Sequence, residues 1–457
     1  MWNALIVLAL ALTALTRLVT LYTGVSASAY LALVPLFLAS VFALLTIPQR
    51  HKFLQIDLAM GILVLLPVGW VLFGLMAAGM TSPNYPMTQF FKQIIWSLLV
   101  YSPYFALRYA PSPNPSFVFW AFCTIVTLSI PVIYLQQVGV LTQFETVQSE
   151  RFLSSYLDAT GLRRYRNTGF FGYTHDAGQA LLLLSIALYA GIASTRSRTV
   201  RRLAVVLMPF TLIALILTSS RTSLFQMVLA LLSGALLIDP IVKGTRGAPA
   251  RNLTWLVGLS AMLVSAIWVA NELDPDLLST TLLFTKGFLS PFTGEGRLST
   301  TLTTLGYLLS DPVRAAFGWG LGSGGLAVVQ GQSVLPVNTV DQSVTILLSN
   351  FGLIGLTIIV GCLSYVTVVV IWIHRHLTSL AQAGKCDAML PVVSHFCLLA
   401  MVIATLSSAS IGESVINRVF CNFLFLCLGA LVNRYEMLTA RTKVPSVARA
   451  NVAPRPA

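Results

Sequence analysis

Long apolar runs separated by short polar segments make up most of the chain up to about residue 433. The runs are continuous, as over 203–217 and 353–373, and they lack the period of two that marks a half-buried strand. A bilayer core about 30 Å thick takes roughly 20 apolar residues per helix. Because lipid offers no hydrogen-bond partner, only helices and closed barrels satisfy every backbone group there. The pattern therefore predicts an all-α polytopic membrane protein.

The apolar runs predict about twelve transmembrane helices within one membrane domain, residues 1–434. Their approximate bounds are 3–22, 29–47, 58–79, 92–108, 116–135, 178–194, 203–217, 223–238, 253–270, 351–373, 388–406 and 415–433. Two connections are long, 136–177 and 271–350, and the second precedes the tenth span. Long loops in compact proteins are usually functional or disordered. The polar residues 435–457, which include three prolines, are predicted to form a disordered cytoplasmic tail.

Basic residues concentrate in alternate connections, which predicts the orientation of the helices. With the N-terminus inside, the cytoplasmic segments are 48–57, 109–115 with the boundary residue Arg108, 195–202, 239–252, 374–387 and the tail from 434. These segments hold 17 of the 28 Lys and Arg but only 4 of the 15 Asp and Glu, so this side carries the whole net charge of +13. We expect both termini in the cytoplasm, with anionic membrane lipid, not nucleic acid, facing this charge. The first run lacks a preceding basic segment and a following small-residue cleavage site, which argues against a signal peptide.

Composition narrows the class of protein further. Charged residues make up 9% of the chain, against about 25% in a soluble domain, so they are too few to cover a water-exposed surface. Five of the six cysteines fall inside predicted spans, and Cys386 falls in a predicted cytoplasmic loop. The cysteine positions therefore predict neither a disulfide framework nor a metal site.

Three segments on the predicted outer side place arginine beside glycine and aromatic residues at the membrane boundary. They are 163–176 (RRYRNTGFFGYTHD), 219–223 (SSRTS), and 294–297 (GEGR) with 318–322 (GWGLG) downstream. Arginine is always charged and presents a planar fork that suits two phosphate oxygens. Glycine permits close approach of the backbone to a ligand. Since outer positive charge runs against the usual loop bias, these segments predict a site for an anionic ligand with a lipid tail.

Each arginine segment also has a purely structural interpretation. A solvated basic loop explains Arg163–Arg166 as well as a ligand site does. Arg221 also suits a helix cap or a side chain that snorkels to the interface. Arg297 precedes a predicted amphipathic helix, 298–309, where a positive charge opposes the helix dipole. His175 is more often a satisfied polar residue than a catalyst.

Acidic residues near the predicted outer boundary allow the same two interpretations. Glu413 and Arg418, at the start of the last span, are expected to pair with each other. Asp341 precedes a short amphipathic stretch and a Gly-x-x-Gly turn at 352–355. An acid this close to the membrane is costly unless it is paired or used. Asp341 is therefore either a functional carboxylate or the N-cap of a helix.

Taken together, these residues resemble the bacterial O-antigen polymerase and O-antigen ligase superfamily of membrane glycosyltransferases. Arg166–Phe171 is similar to the Arg-x-x-Gly-x-Phe signature of the mid-chain loop of the family, and Ser220–Ser223 to its Ser-Arg-Thr turn. Gly296-Arg297, with Asp311-Pro312 and Gly318–Gly322 downstream, resembles its Gly-Arg…Pro…Gly-x-Gly loop. The likeness extends over most of the chain.

The segment Asp341–Gly352 matches the last motif of the family, in which His or Asp lies eleven residues before Gly. Ligases usually carry His at the first position, whereas Asp341 is similar to what polymerases carry. The family often has Glu two residues before the Gly, where this chain has Asn350. The resemblance favours a polymerase, with a ligase as the alternative.

The resemblance implies a donor glycan on undecaprenyl pyrophosphate at the outer, periplasmic face of a bacterial inner membrane. The acceptor is a sugar hydroxyl of a second lipid-linked repeat unit for a polymerase, or of lipid A-core for a ligase. No metal, nucleotide sugar or other cofactor is required. By hypothesis Arg221 and Arg297 hold the pyrophosphate and Asp341 is the general base. The expected substrate-binding residues are Arg164, Arg166, His175 and Arg314.

Two other classes of protein compete with the enzyme. A transporter or flippase of lipid-linked glycan would also use outer arginines, but it should show a polar pathway with charges inside several spans. A structural subunit of an export complex would have no activity of its own. For the enzyme, a separate flippase and a chain-length regulator are expected partners beside the lipid-linked oligosaccharide.

Overall fold

The computed structural model describes sixteen stretches of the chain, nine of them longer than ten residues. These are residues 10–11, 14–15, 40–41, 54–79, 100–111, 113–141, 155–157, 163–165, 167–171, 174–218, 220–238, 248–273, 305–307, 309–320, 343–408 and 417–442. Most of the described residues are helical, as the apolar runs predict.

Eleven helices and one two-stranded sheet are numbered here within the described residues. The helices are α1 (Gln55–Gly79), α2 (Pro103–Arg108), α3 (Pro115–Gln137), α4 (Thr174–Ser194), α5 (Arg198–Leu217), α6 (Arg221–Ser233, continued by a π turn Gly234–Ile238), α7 (Ala248–Leu273), α8 (Pro312–Phe317), α9 (Ser343–Gln382), α10 (Leu390–Ser408) and α11 (Arg418–Thr442). The strands β1 (Ser155–Leu157) and β2 (Arg163–Tyr165) pair antiparallel, with Tyr156 opposite Arg164. This two-stranded sheet is a small departure from an all-α chain.

Six of the described helices are long and apolar enough to cross a membrane: α3, α4, α5, α9, α10 and α11. Each coincides with a predicted span, as expected of a multi-pass α-helical membrane protein. Three shorter apolar stretches, Gln55–Trp70, Thr222–Ile238 and Ser260–Leu273, coincide with three more. The predicted spans 3–22 and 29–47 lie largely outside the described residues, and of 92–108 only residues 100–108 are described, so the count of twelve stays a prediction.

Local sequence signals begin several of these helices. Asn114 caps α3, where its Oδ1 accepts from the backbone N–H groups of Ser116 and Phe117, and Pro115 occupies the first turn. Ser197 caps α5 in the same way through the N–H of Val200. A short polar side chain at this position satisfies N–H groups that have no partner within the helix. These two helices therefore begin at a capping residue that precedes the apolar run, and not at the first apolar residue.

The helix α4 lies at the centre of the bundle, where it packs against α3, α5, α6, α10 and α11. Every residue from Asp176 to Ile192 is buried. By contrast α7, which packs mainly on α5, leaves Val257, Val264 and Trp268 exposed, as a helix that faces lipid should. The core of the protein is thus built around a single apolar helix.

The helix α9 contains a break at Gly352, whose φ of +64° and ψ of −169° are not helical. The part after Gly352 is long enough to cross a bilayer and to continue for about three turns beyond it, at 1.5 Å per residue. The part before the break, Ser343–Phe351, is a separate helical segment that precedes the span. The span predicted at 351–373 therefore begins where the helix bends.

One of the predictions for polar segments needs correction. The tail was expected to be disordered from residue 435, but α11 continues to Thr442. The reason is packing, since Tyr435 bonds the His376 ring at 3.0 Å and Glu436 pairs with Arg108 at 2.8 Å. After the predicted amphipathic helix at 298–309, Asp311 caps α8 through the N–H groups of Val313 and Arg314.

Contacts between helix ends define two ends of the bundle. At one end Ser194 bonds His395, Ser116 bonds Asp387, and Arg108 pairs with Glu436. We name this the basic end, because the exposed Arg196, Arg198, Arg201, Arg202, Arg375 and Lys385 lie there. At the other, which we name the motif end, α3 and α5 finish and α4, α6 and α11 begin. This division agrees with the alternation predicted from charge.

Candidate active site

The described part of the mid-chain motif is anchored on two helix ends. The Gln136 Oε1 atom accepts hydrogen bonds from the backbone N–H groups of Thr168 at 3.0 Å and Gly169 at 2.9 Å. The Asn167 Nδ2 atom donates to the Leu217 carbonyl at 3.1 Å, near the end of α5. That carbonyl is one of the last four in a helix, which have no partner within the helix. The motif therefore joins the ends of α3 and α5.

The Ser-Arg-Thr turn begins α6 directly after α5. Ser220 occupies the cap position, and Arg221 is the first residue of the helix. The Ser220 hydroxyl does not cap the backbone but bonds the Ser223 hydroxyl at 2.8 Å. Anions are stabilised at a helix N-terminus, so the backbone here offers N–H groups to a negative ligand. Since Leu217 ends α5 just before this turn, Asn167 brings the first two motifs together.

The first two turns of α4 pack against this Ser-Arg-Thr turn. A Cβ atom at Gly178 would lie 2.7 Å from the Ser223 Oγ atom, so no larger residue fits without a shift. One residue on, the Gln179 Nε2 atom donates to Ser223 Oγ at 3.1 Å and to Gln226 Oε1 at 2.8 Å. Gln226 in turn donates to Ser407 Oγ in α10 at 2.7 Å. A buried chain of amides and hydroxyls thus connects α4, α6 and α10.

A buried ion pair ties the same turn of α4 to α11. Arg418 contacts Asp176 Oδ2 through Nη2 at 2.8 Å and through Nε at 3.1 Å. The other carboxylate oxygen accepts from Asn417 Nδ2 at 2.9 Å. Arg418 was expected to pair with Glu413; the structure pairs it with Asp176, because the first turns of α4 and α11 face each other. Glu413 lies outside the described residues.

A second group of contacts joins the Gly-Trp-Gly segment to the bend in α9. The backbone N–H of Trp319 donates to the backbone carbonyl of Ser349 at 2.6 Å. Gly318 has a φ of +81°, and a Cβ atom there would lie 2.6 Å from the Ser349 carbonyl oxygen. A Cβ atom at Gly352 would lie 2.5 Å from the Gly318 nitrogen. The two backbones can approach this closely only because both residues are glycine.

Aromatic side chains hold the same segment against α1. The Trp70 Nε1 atom donates to the Phe317 carbonyl at 3.0 Å, and its ring lies 6.2 Å from Phe317 and 6.1 Å from Phe351. Arg314 in α8 lies over the Trp319 ring, 3.9 Å from the centroid, with Asp311 3.3 Å from its Nε atom. The described parts of these two motifs, residues 318–320 and 343–352, are therefore packed together around the bend of α9.

The predicted site residues divide into those the structure describes and those outside it. Arg166, Arg297 and Asp341 lie outside the described residues. Arg164 lies in β2 and Arg221 begins α6, and for both the backbone alone is described. His175 lies in the first turn of α4, partly exposed, and Arg314 stacks on Trp319 as above.

Several polar residues of this end were not among the predicted site residues. They are Asp176, Gln179, Gln226, Asn417 and Arg418. A usable signal existed for two of them, because Asp176 and Arg418 are opposite charges at the boundaries of two predicted spans, and such residues are rare unless paired or functional. The two glutamines give no comparable signal, since single amides in apolar helices do not reveal their partners.

Comparison with protein-family models and with curated proteins gives no match for this chain. The proposal for its function therefore rests on the motifs and on the contacts that join them.

Proposed function

We propose that this protein is a membrane glycosyltransferase that polymerises a bacterial surface or secreted polysaccharide. It would transfer glycan from undecaprenyl pyrophosphate to a sugar hydroxyl of another lipid-linked repeat unit, at the outer face of the inner membrane. One observation supports this most. The Asn167 amide bonds the Leu217 carbonyl across 50 residues of sequence, so the mid-chain motif meets the Ser-Arg-Thr turn, as a shared site requires.

The chemistry proposed for this site is a single displacement. The acceptor hydroxyl oxygen bonds to the anomeric carbon, the bond from that carbon to the pyrophosphate oxygen breaks, and the configuration inverts. The hydroxyl proton passes to Asp341, and the lipid pyrophosphate leaves with the bonding electron pair. Arg221 and Arg297 stabilise the charge that grows on the leaving group. Arg164, Arg166, His175 and Arg314 contact the glycan or the phosphates.

The bend of α9 supports the role given to Asp341. This residue is two positions before Ser343, where the segment Ser343–Phe351 begins. That segment is fixed by the hydrogen bond from the backbone N–H of Trp319 to the Ser349 carbonyl and by the close approach of Gly318 to Gly352. A general base must be held within hydrogen-bond reach of its proton. An anchored helical segment next to Asp341 meets that requirement better than a free loop.

The distribution of polar residues favours an enzyme over a transporter. In the central helix α4, residues 180–188 are buried and all apolar except Ser185, whose hydroxyl bonds the Leu181 carbonyl. The described polar contacts of α4 lie at its two ends, around Gln179 and around Ser194. A transporter needs polar groups along its pathway. A site confined to one face suits a glycosyltransferase.

The first test is gel analysis of glycan from a deletion strain that carries either the wild-type gene or Asp341→Ala. A polymerase predicts long chains with the wild type, and single repeats transferred to their acceptor in the deletion and in Asp341→Ala. Glu272→Gln, which removes an exposed carboxylate at the end of α7, is the matched control and should restore long chains.

Two results would contradict the proposal. Long chains that stay on undecaprenyl pyrophosphate in the deletion strain would identify a ligase. Repeat units that accumulate on the inner leaflet would identify a transporter.

A further inference from the structure

We propose that Asp176 and Arg418 are positioning residues that hold the Ser-Arg-Thr turn, and with it Arg221, in the geometry the reaction needs. The inference rests on the proposed function, because it assigns these residues a part in the same site. Neither residue is expected to touch the substrate. They act through the first two turns of α4.

The pair is closed on itself, which argues for an indirect role. Two guanidinium nitrogens of Arg418 donate to Oδ2 of Asp176, and the Asn417 amide donates to Oδ1 of the same carboxylate at 2.9 Å. The side chains of Arg418 and Asp176 are only 7% and 9% exposed. A neutralised, buried arginine is poorly suited to bind a phosphate. Arg418 therefore differs from Arg221, which begins a helix next to the mid-chain motif.

Contacts lead from this pair to the Ser-Arg-Thr turn without a gap. Asp176 lies two residues before Gly178, which leaves no room between α4 and Ser223, and three before Gln179, which bonds Ser223 directly. Ser223 bonds Ser220, and Arg221 lies between them in sequence. A shift of α4 relative to α11 would therefore be transmitted to the backbone of Arg221.

The energetics of buried ion pairs make a purely stabilising role a poor explanation. Removing two charges from water costs several kcal/mol, and well-packed apolar residues often stabilise a protein as much or more. A charged pair does impose one arrangement, because bonds from Arg and Asn to one carboxylate specify distance and angle. Such a pair suits a place where two helix ends must meet in one register.

The experiment uses the full-length protein, purified and reconstituted in lipid, with lipid-linked repeat units as substrate. Asp176→Asn keeps the shape of the side chain and removes its charge. We expect kcat per folded molecule to fall by about 10- to 100-fold, the scale of a misplaced reacting group, with KM for the donor nearly unchanged. Arg418→Gln should have the same effect, and the double variant should fall no further, because the two residues act as one unit.

The chain supplies a matched control. Asp57→Asn removes the carboxylate from a pair of the same length that is also buried, with Arg108 at 2.8 Å, but at the basic end. This variant should lose thermal stability and keep wild-type kcat and KM in its folded fraction. If Asp176→Asn behaves in the same way as Asp57→Asn, the pair at the motif end is structural and the positioning role is wrong.

A second measurement separates this inference from the proposed function. In cells, Thr222→Cys is labelled with a membrane-impermeant maleimide, alone and combined with Asp176→Asn or Asp57→Asn. The same protein without Thr222→Cys gives the background from the native cysteines, of which Cys362 and Cys386 are only partly buried. A several-fold change in labelling rate with Asp176→Asn alone supports positioning, even if the wild type makes no polymer. An unchanged rate overturns it, even if the protein proves to be a polymerase.

Discussion

Two buried Arg–Asp pairs of the same length lie at opposite ends of the bundle. Arg108 and Asp57 at the basic end, and Arg418 and Asp176 at the motif end, both approach to 2.8 Å. Chemically they are alike, and each joins the ends of different helices. Their surroundings differ, and those surroundings indicate what each pair does.

The basic-end pair belongs to a network that joins α1, α2 and α11. The Tyr104 hydroxyl donates to Asp57 Oδ1 at 2.6 Å, and the Arg108 Nη1 atom donates to Glu436 at 2.8 Å. The Asn433 amide closes the end of α2, where it bonds the carbonyls of Leu107, Arg108 and Ala110. No proposed site residue touches this network within the described part of the chain. Its role is to anchor three helices.

The motif-end pair has a different neighbourhood. Within two helical turns it meets a glycine without room for a Cβ atom, a chain of buried amides, and the turn that carries Arg221. The chemistry of an ion pair alone therefore does not decide whether the pair is functional or structural. What it holds in place decides its role, and the two ends can be tested separately.

The largest expected effect is at the basic end. Arg108→Met removes the cation shared by Asp57 and Glu436 and leaves both carboxylates in a buried setting. Breaking a buried pair in this way destabilises a protein by about 3–5 kcal/mol. Unfolding of the reconstituted protein by heat or denaturant measures the change. Activity per folded molecule should stay at the wild-type level. A drop in kcat of the folded fraction would show that the basic-end pair also affects the reaction.

At the motif end, Arg221→Ala should act on the reaction and not on stability. Loss of one preorganised donor to a developing charge lowers kcat by about 10²–10³-fold. The comparison is Arg196→Ala, an exposed arginine at the basic end, which should leave polymer yield and length unchanged. Chain length on gels and initial rates with purified protein measure both. Equal behaviour of the two variants would remove Arg221 from the site.

The bend of α9 can be tested with a pair of glycines from one helix. Gly352→Ala places a Cβ atom against the backbone of Gly318 and forces a positive φ on alanine, at a cost of about 1–3 kcal/mol. It should also shift the segment next to Asp341 and lower kcat. Gly361→Ala meets nothing within 4 Å in a helical position, so it should be neutral or slightly stabilising. Matching losses in both variants would show that the bend has no special role.

The smallest expected effect is on the hydrogen bond that holds Phe317 to α1. Trp70→Phe keeps an aromatic ring next to Phe317 and Phe351 but removes the bond to the Phe317 carbonyl, a loss of about 1 kcal/mol. Trp372→Phe, at a highly exposed tryptophan of α9, is the control and should change stability by less. The melting temperature of each variant, measured in the same lipid, tests this difference in stability. A larger loss for Trp372→Phe would mean that lipid contact outweighs the internal bond.

Sequence reasoning found the helices well because their apolar runs are local. The predicted span 203–217 lies within α5, and the predicted span 388–406 overlaps α10 over all but its first two residues. It misjudged the ends of helices where polar residues continue the helix. Arg198–Arg202 extend α5 at its start, and Tyr435–Thr442 extend α11, since solvent-facing arginine is a good helix former and Glu436 finds a buried partner.

The same reasoning located the motif segments but not their partners. Arg418 illustrates the limit, because the nearest acid in sequence, Glu413, was the obvious choice, whereas its partner is Asp176, 242 residues away. Helix packing sets that distance, and no local pattern records it. Likewise, the Gly-x-Gly and Gly352 motifs predict turns, but not that the two glycines lie against each other.

By itself, then, the sequence determined the helical class, the positions of the six described helices that are long enough to cross a membrane, and the division of charge between alternate connections. These properties follow from transfer of apolar segments into lipid and from the charge bias of the two faces, and both act on short stretches of chain. Only the tertiary structure decided which helix ends meet. It placed Gln179 on Ser223, Trp319 on Ser349 and Arg418 on Asp176, because side-chain packing and hydrogen-bond satisfaction are settled between segments far apart in sequence.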